Sequence, residues 1–189
     1  MSKTETCHPQ VLIAAFHEAA HAVVSIQLGL KFKYVEVTVE VAAEGNIINA
    51  GCWRDEPQEN GSPEQVKNKL VVMFAGKTAE AHLSRHKVGQ SMEKYLTEEA
   101  ISRGAAKDVL EAEGLAKYIV KYHGSSSKED HAALLRNAEQ RANEILNDQA
   151  VFDCVYDLAW RLVRDTTLQF DQVKRFCSYR VNRGLKLPR

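Results

Sequence analysis

No stretch of these 189 residues is apolar over the roughly 18 to 20 positions that a bilayer-spanning helix needs, and residues 1–8 hold no apolar signal core. Neither sign of charge is in excess, since 25 Lys plus Arg balance 25 Asp plus Glu. That balance removes the bulk electrostatic pull that draws a chain to nucleic acid or to an anionic membrane. Cysteine is scarce and scattered: Cys7, Cys52, Cys154 and Cys177 form no Cys-x-x-Cys pair. The spacing argues against a thiolate zinc site and against the dense disulfide framework of a small secreted domain. The four read as reduced thiols of a soluble, cytoplasmic protein. Also missing is a Gly-x-x-x-x-Gly-Lys-Ser/Thr run to cradle phosphates. Gly76-Lys77-Thr78 imitates its end, but residues 71–75 lack the loop glycine, so no ATP binding is expected in this chain.

What is present is mostly helical. Pro9 suits a first helical turn, where its missing N–H is no loss. Val11, Leu12, Ala15, Ala19, Ala22, Val23 and Ile26 then recur at three- and four-residue steps, and Gly29 can end that helix in a left-handed cap. Val35, Val37, Val39 and Val41 alternate with Tyr34, Glu36, Thr38 and Glu40, the period of a half-buried strand. A turn at residues 44–46 returns the chain as a second strand over residues 47–53. This hairpin is the only strong β signal. Ser62-Pro63 reads as an N-cap and first-turn proline for a helix running to about Leu83. Residues 87–102 are less regular and read as a mobile excursion. A helix follows over residues 104–122, then a break at 124–127. Residues 129 to about 164 read as two helices bent near Asp148, and a last short helix restarts at 165–167. The expected architecture is mostly α with a small β-hairpin, one domain over residues 1–189: a helix and small sheet at about 9–53, a helical remainder at about 62–182.

Within the first helix lies Phe16-His17-Glu18-Ala19-Ala20-His21. Two histidines four apart stand one above the other on a helix face, and both imidazoles can reach one zinc ion. Glu18 can lie beside that ion without binding it and take a proton from the attacking water. The flanks Ala14, Ala15, Ala19, Ala20 and Ala22 are small and apolar, which lets other backbone approach and strengthens the local electrostatics. The motif is short and chance matches occur. A third protein ligand is needed, and Asp108, Glu111, Glu113 and Glu80 are all candidates. A second pair, His82 and His86, has the same spacing but no carboxylate after its first histidine, and Arg85 beside it; it reads as an exposed helix face.

The order of several segments makes the pattern more specific. Phe16-His17-Glu18-Ala19-Ala20-His21-Ala22, the strand Val35-Glu36-Val37-Thr38-Val39, Phe74-Ala75-Gly76-Lys77-Thr78-Ala79-Glu80, Gly104-Ala105-Ala106-Lys107-Asp108 and Arg141-Ala142-Asn143-Glu144-Ile145-Leu146 together resemble the peptidase domain of FtsH-type ATP-dependent zinc proteases. The resemblance covers about residues 10 to 177. It implies that His17, His21 and Asp108 are zinc ligands, that Glu18 is the catalytic base, and that Glu80 orients a ligand. There are departures. Ala20 stands where the family has glycine, residues 87–103 look like an insertion able to act as a lid, and neither an ATPase nor a membrane segment is found in these residues. The resemblance therefore implies a zinc-dependent endopeptidase that hydrolyses unfolded or extended polypeptides without ATP, with residues 35–41 pairing the substrate. Its partners would be the polypeptide substrate and, where one exists, a second copy or a separate unfoldase. The alternative is a catalytically inactive zinc-binding or regulatory module of the same fold.

Overall fold

The computed structural model describes residues 8–42, 45–53, 61–85, 92–122 and 130–183. Among them are seven α-helices and a three-stranded antiparallel sheet. Helix α1 spans Pro9–Gln27. The His8 ring accepts a hydrogen bond from the Gln10 N–H at 3.4 Å, and Pro9 occupies the first turn. At the far end Gly29 adopts φ 69°, the left-handed conformation expected there.

Strands β1 (Tyr34–Ala42) and β2 (Gly45–Trp53) form the expected hairpin, in register from Tyr34 opposite Trp53 to Ala42 opposite Gly45. Val35 and Val37 are buried beneath the sheet. A third strand was not expected. β3 (Thr167–Gln169) pairs antiparallel with the start of β1, so the order is β2-β1-β3. Residues 165–167 therefore do not restart a helix. Thr166 takes φ 58°, a rare conformation for a β-branched residue, and its carbonyl accepts from the Val37 N–H at 2.8 Å. Three extended residues carry too little pattern to announce a strand.

Helix α2 (Pro63–Arg85) begins with a reciprocal cap. The Gln65 N–H donates to Ser62 Oγ at 3.3 Å, and the Ser62 N–H donates to Gln65 Oε1 at 2.9 Å. The segment expected to be irregular is ordered where it is described. A 3₁₀ turn at Glu93–Tyr95 leads into α3 (Glu98–Gly104), capped by Thr97. Met92, Leu96 and Ile101 are buried, which anchors this segment; residues 87–91 of the expected insertion lie outside the described residues. The helix expected over 104–122 is present as α4 (Ala106–Tyr122), starting after the chain turns at Ala105. Helices α5 (His131–Leu146) and α6 (Gln149–Asp165) break where expected. Asp148 caps α6 by accepting from the Ala150 and Val151 N–H groups. Helix α7 (Phe170–Arg183) follows β3. The buried apolar side chains of α1, α2, α4, α5, α6 and the sheet join into one cluster, and α1 runs through it in contact with α2, α6 and the hairpin.

Candidate metal centre

His17, Glu18 and His21 lie mid-helix on α1 and are 7 %, 9 % and 5 % exposed. That is unusual for ionisable groups unless they are paired. The partners of the two histidines come from α2 and α4. Across the chain, Asp108 in the first turn of α4 places Oδ2 2.8 Å from His17 Nε2 and 3.3 Å from His21 Nε2. The opposite ring nitrogens are both occupied. His17 Nδ1 is 2.6 Å from Glu80 Oε1, and His21 Nδ1 is 2.7 Å from the Val72 carbonyl oxygen, both on α2. With Nδ1–H donating outward on each ring, both Nε2 atoms turn toward Asp108. This is the arrangement in which imidazoles are fixed for metal binding by outer acceptors.

One ligand atom from each of His17, His21 and Asp108 lies within 4.8 Å of the others. Tetrahedral ligands at zinc distances of 2.0 to 2.1 Å stand about 3.3 Å from one another. The His21–Asp108 separation already meets that spacing, and the His17–Asp108 separation must open by roughly half an ångström. Two imidazole nitrogens and one carboxylate oxygen are a donor set suited to a divalent metal ion. The three residues thus form a site able to hold a metal ion.

Electrostatics point the same way. Burial opposes charge on His17, yet its hydrogen bonds to Asp108 and Glu80 and the nearby charge of Glu18 override that cost and push its pKa up to about 10. Burial likewise favours protonated Asp108, but contacts with His17 and His21 hold its carboxyl well below the usual carboxylate range. Metal-free, the centre is held by a proton on His17 between two carboxylates. A cation bound here would displace that proton, so its affinity would rise with pH.

The cleft over this centre is lined by His17, Glu18, His21 and Asp108 together with residues 50–53 of β2 and Met73. The strand beside the site is therefore β2. β1 is paired with β2 along its length and with β3 over Tyr34–Glu36, and none of residues 35–41, expected to pair the substrate, lines the cleft; β2 has only β1 as a partner among the described residues.

The remaining sequence candidates fall elsewhere. Glu111 stands at the rim, 4.0 Å from Lys107, and Glu113 lines a separate groove with Lys77 and Leu110. Ala20, at the family's glycine position, is fully buried in the apolar cluster and does not line the cleft. His82 Nε2 is 2.9 Å from Asn143 Oδ1, linking α2 to α5; His86 lies outside the described residues. Gly76, Lys77 and Thr78 sit inside α2, where Thr78 donates to the Phe74 carbonyl and Lys77 pairs with Glu139.

Gly76 has a role that pattern reading missed. A Cβ built there would come within 2.3 Å of His17 Nε2 and 2.4 Å of Cε1, closer than real Cβ contacts. The His17 ring lies flat against the α2 backbone in space that only glycine leaves. A buried helix-interior glycine with no turn to serve is itself a signal of close approach, and the sequence shows one at this position. No protein-family model matches the chain, and no curated protein matches it.

Proposed function

We propose that the chain is a zinc-dependent endopeptidase that hydrolyses unfolded or extended polypeptides without ATP. The observation that carries this reading is the convergence of His17 Nε2, His21 Nε2 and Asp108 Oδ2 on one point, with Glu18 lining the same cleft. A zinc ion there would polarise a scissile carbonyl and make water acidic at neutral pH. His17 and His21 would hold it through Nε2, with tautomers fixed by Glu80 and the Val72 carbonyl. Asp108 would complete the set and offset part of its charge. Glu18 accepts the proton of the attacking water and returns it to the leaving amine. The free edge of β2 beside the centre suits an extended peptide added as a further strand, which orders substrate backbone across Glu18. A folded protein exposes such a segment only by opening locally or globally, so unstructured chains are the expected substrates. The resemblance of the ordered motifs to FtsH-type peptidase domains agrees with this chemistry.

The experiment pairs metal content with cleavage. Purified protein should hold about one zinc per chain, as three ligands imply, and should cut a disordered protein without ATP. Glu18→Gln should keep the zinc and cut at least about a hundredfold more slowly, the usual worth of a general base. Zinc without cleavage by wild type would instead favour a catalytically inactive binding module. Equal cleavage by both proteins would remove Glu18 from the mechanism.

A further inference from the structure

Helices α6 and α7 contribute no side chain to the cleft, yet they bring two thiols together. Cys154 in α6 and Cys177 in α7, 23 positions apart, have their sulfurs 3.2 Å from each other. Both are buried, at 1 % and 2 % exposure, among Val151, Val155, Leu158 and Val173. A disulfide sets its sulfurs at about 2.05 Å, so closing one here asks for a relative movement of roughly 1 Å.

How firmly α7 is held decides what such a bond would do. Over residues 170–178 Val173 and Cys177 are buried, with Phe170 and Phe176 partly so. An element with so few buried anchors opens more readily than the core. We propose that Cys154 and Cys177 form an intramolecular disulfide that clamps α7 to α6 when the protein meets a low-molecular-weight disulfide. In the first step a thiolate of the pair attacks a sulfur of the small disulfide. A mixed disulfide forms and one small thiolate leaves. The second protein thiolate then attacks the protein sulfur of that mixed disulfide, forming the Cys154–Cys177 bond and releasing the second small thiolate. Two protein thiols lose two protons and two electrons, and the small disulfide becomes two thiols. Burial keeps the reagent out of the closed state, so attack occurs through local opening of α7. The finished bond removes that opening. Because α7 continues from β3, which pairs with the central strand β1, the clamp also steadies the sheet from the side opposite the cleft.

The test uses the intact chain, reduced or incubated with oxidised glutathione, with remaining thiols alkylated before unfolding. Digestion without reduction and mass spectrometry should give one peptide pair joined through Cys154 and Cys177, short by two hydrogens. The melting temperature should rise by roughly 5 to 15 °C, and dithiothreitol should reverse both changes. Cys52→Ser should leave the result intact. Cys177→Ser, or Cys177→Ala should the serine variant fail to fold, should abolish it. The wild-type digest stands whether or not either variant folds. Recovery of the two cysteines as separate glutathione adducts, as free alkylated thiols, or joined to Cys7 or Cys52 would overturn the pairing. A Cys154–Cys177 bond that leaves the melting temperature unchanged would overturn the clamp. Neither result bears on the metal centre, whose zinc content is measured separately.

Discussion

Helices α1 and α6 are near in length and opposite in design. In α1, 12 of 19 residues are buried, and they include His17, Glu18, His21 and Ser25. In α6, 7 of 17 are buried, none of them charged: Val151, Phe152, Cys154, Val155, Leu158, Ala159 and Leu162. The α6 set is an apolar stripe at three- and four-residue steps, with Trp160 and Arg164 on the exposed side. Such a helix is placed by hydrophobic burial alone. Helix α1 is surrounded, so its ionisable groups carry a desolvation cost that only matched partners offset. Those partners stand on other helices, 63 and 91 positions away along the chain. Helix α6 thus adds apolar burial alone, whereas α1 adds apolar burial together with an ionisable cluster that has to be matched from other helices.

Substitutions that separate metal affinity from stability break or sharpen this contrast. The largest effect on the centre is expected from Asp108→Ala, which removes one of three converging donors. Zinc affinity should fall by more than the 10- to 100-fold typical of losing an outer partner, as read by competition with a chromogenic chelator. Unchanged affinity would show that Asp108 is not a ligand and that the contrast is drawn in the wrong place.

Leu158→Ala in α6 should do the converse. Leu158 is fully buried, and its truncation should cost about 2 to 5 kcal/mol, seen as a fall of roughly 4 to 20 °C in melting temperature. Zinc per folded chain should stay the same. A loss of zinc alongside would mean that the two helices are coupled more tightly than their burial patterns suggest.

Gly76→Ala is a sharper probe, because alanine is the better helix former by roughly 0.5 to 1 kcal/mol. The new methyl would occupy the space of the His17 ring, so zinc affinity should drop about a hundredfold, near the top of the range seen when a ligand loses its orientation. A variant that is more stable and binds zinc as before would mean that the ring has room to move.

The smallest of these effects belongs to Glu80→Gln. An amide oxygen can still accept from His17 Nδ1, but without the charge that favours the arrangement, and zinc affinity should fall about tenfold. Isothermal titration at fixed pH checks it; no change would make the 2.6 Å contact incidental to the metal.

Much of this was legible in the residues. The His17–His21 spacing, the capping signals at Pro9, Ser62 and Asp148, and the alternation in β1 are local patterns, and local patterns survive into the fold because backbone geometry has fixed periods. What failed to announce itself was short or borrowed from elsewhere. β3 is three residues long and exists because β1 offers an edge. The segment before Asp108 is ordered because Met92, Leu96 and Ile101 find the core.

For the candidate site the division is similar. Sequence alone determined that one helix face carries two imidazoles with a carboxylate at its flank, because 3.6 residues per turn stack i and i+4 and turn i+1 about 100° aside. It left Asp108, Glu80, Glu111 and Glu113 equivalent as third donors until a family resemblance ranked them. Tertiary structure decided the rest: Asp108 meets both Nε2 atoms, Glu80 backs His17, Gly76 makes room for its ring, and β2 rather than β1 borders the cleft. Each of these is a contact between elements far apart in the chain, set by which faces pack together, and periodicity within one element holds no information about the partner it will meet.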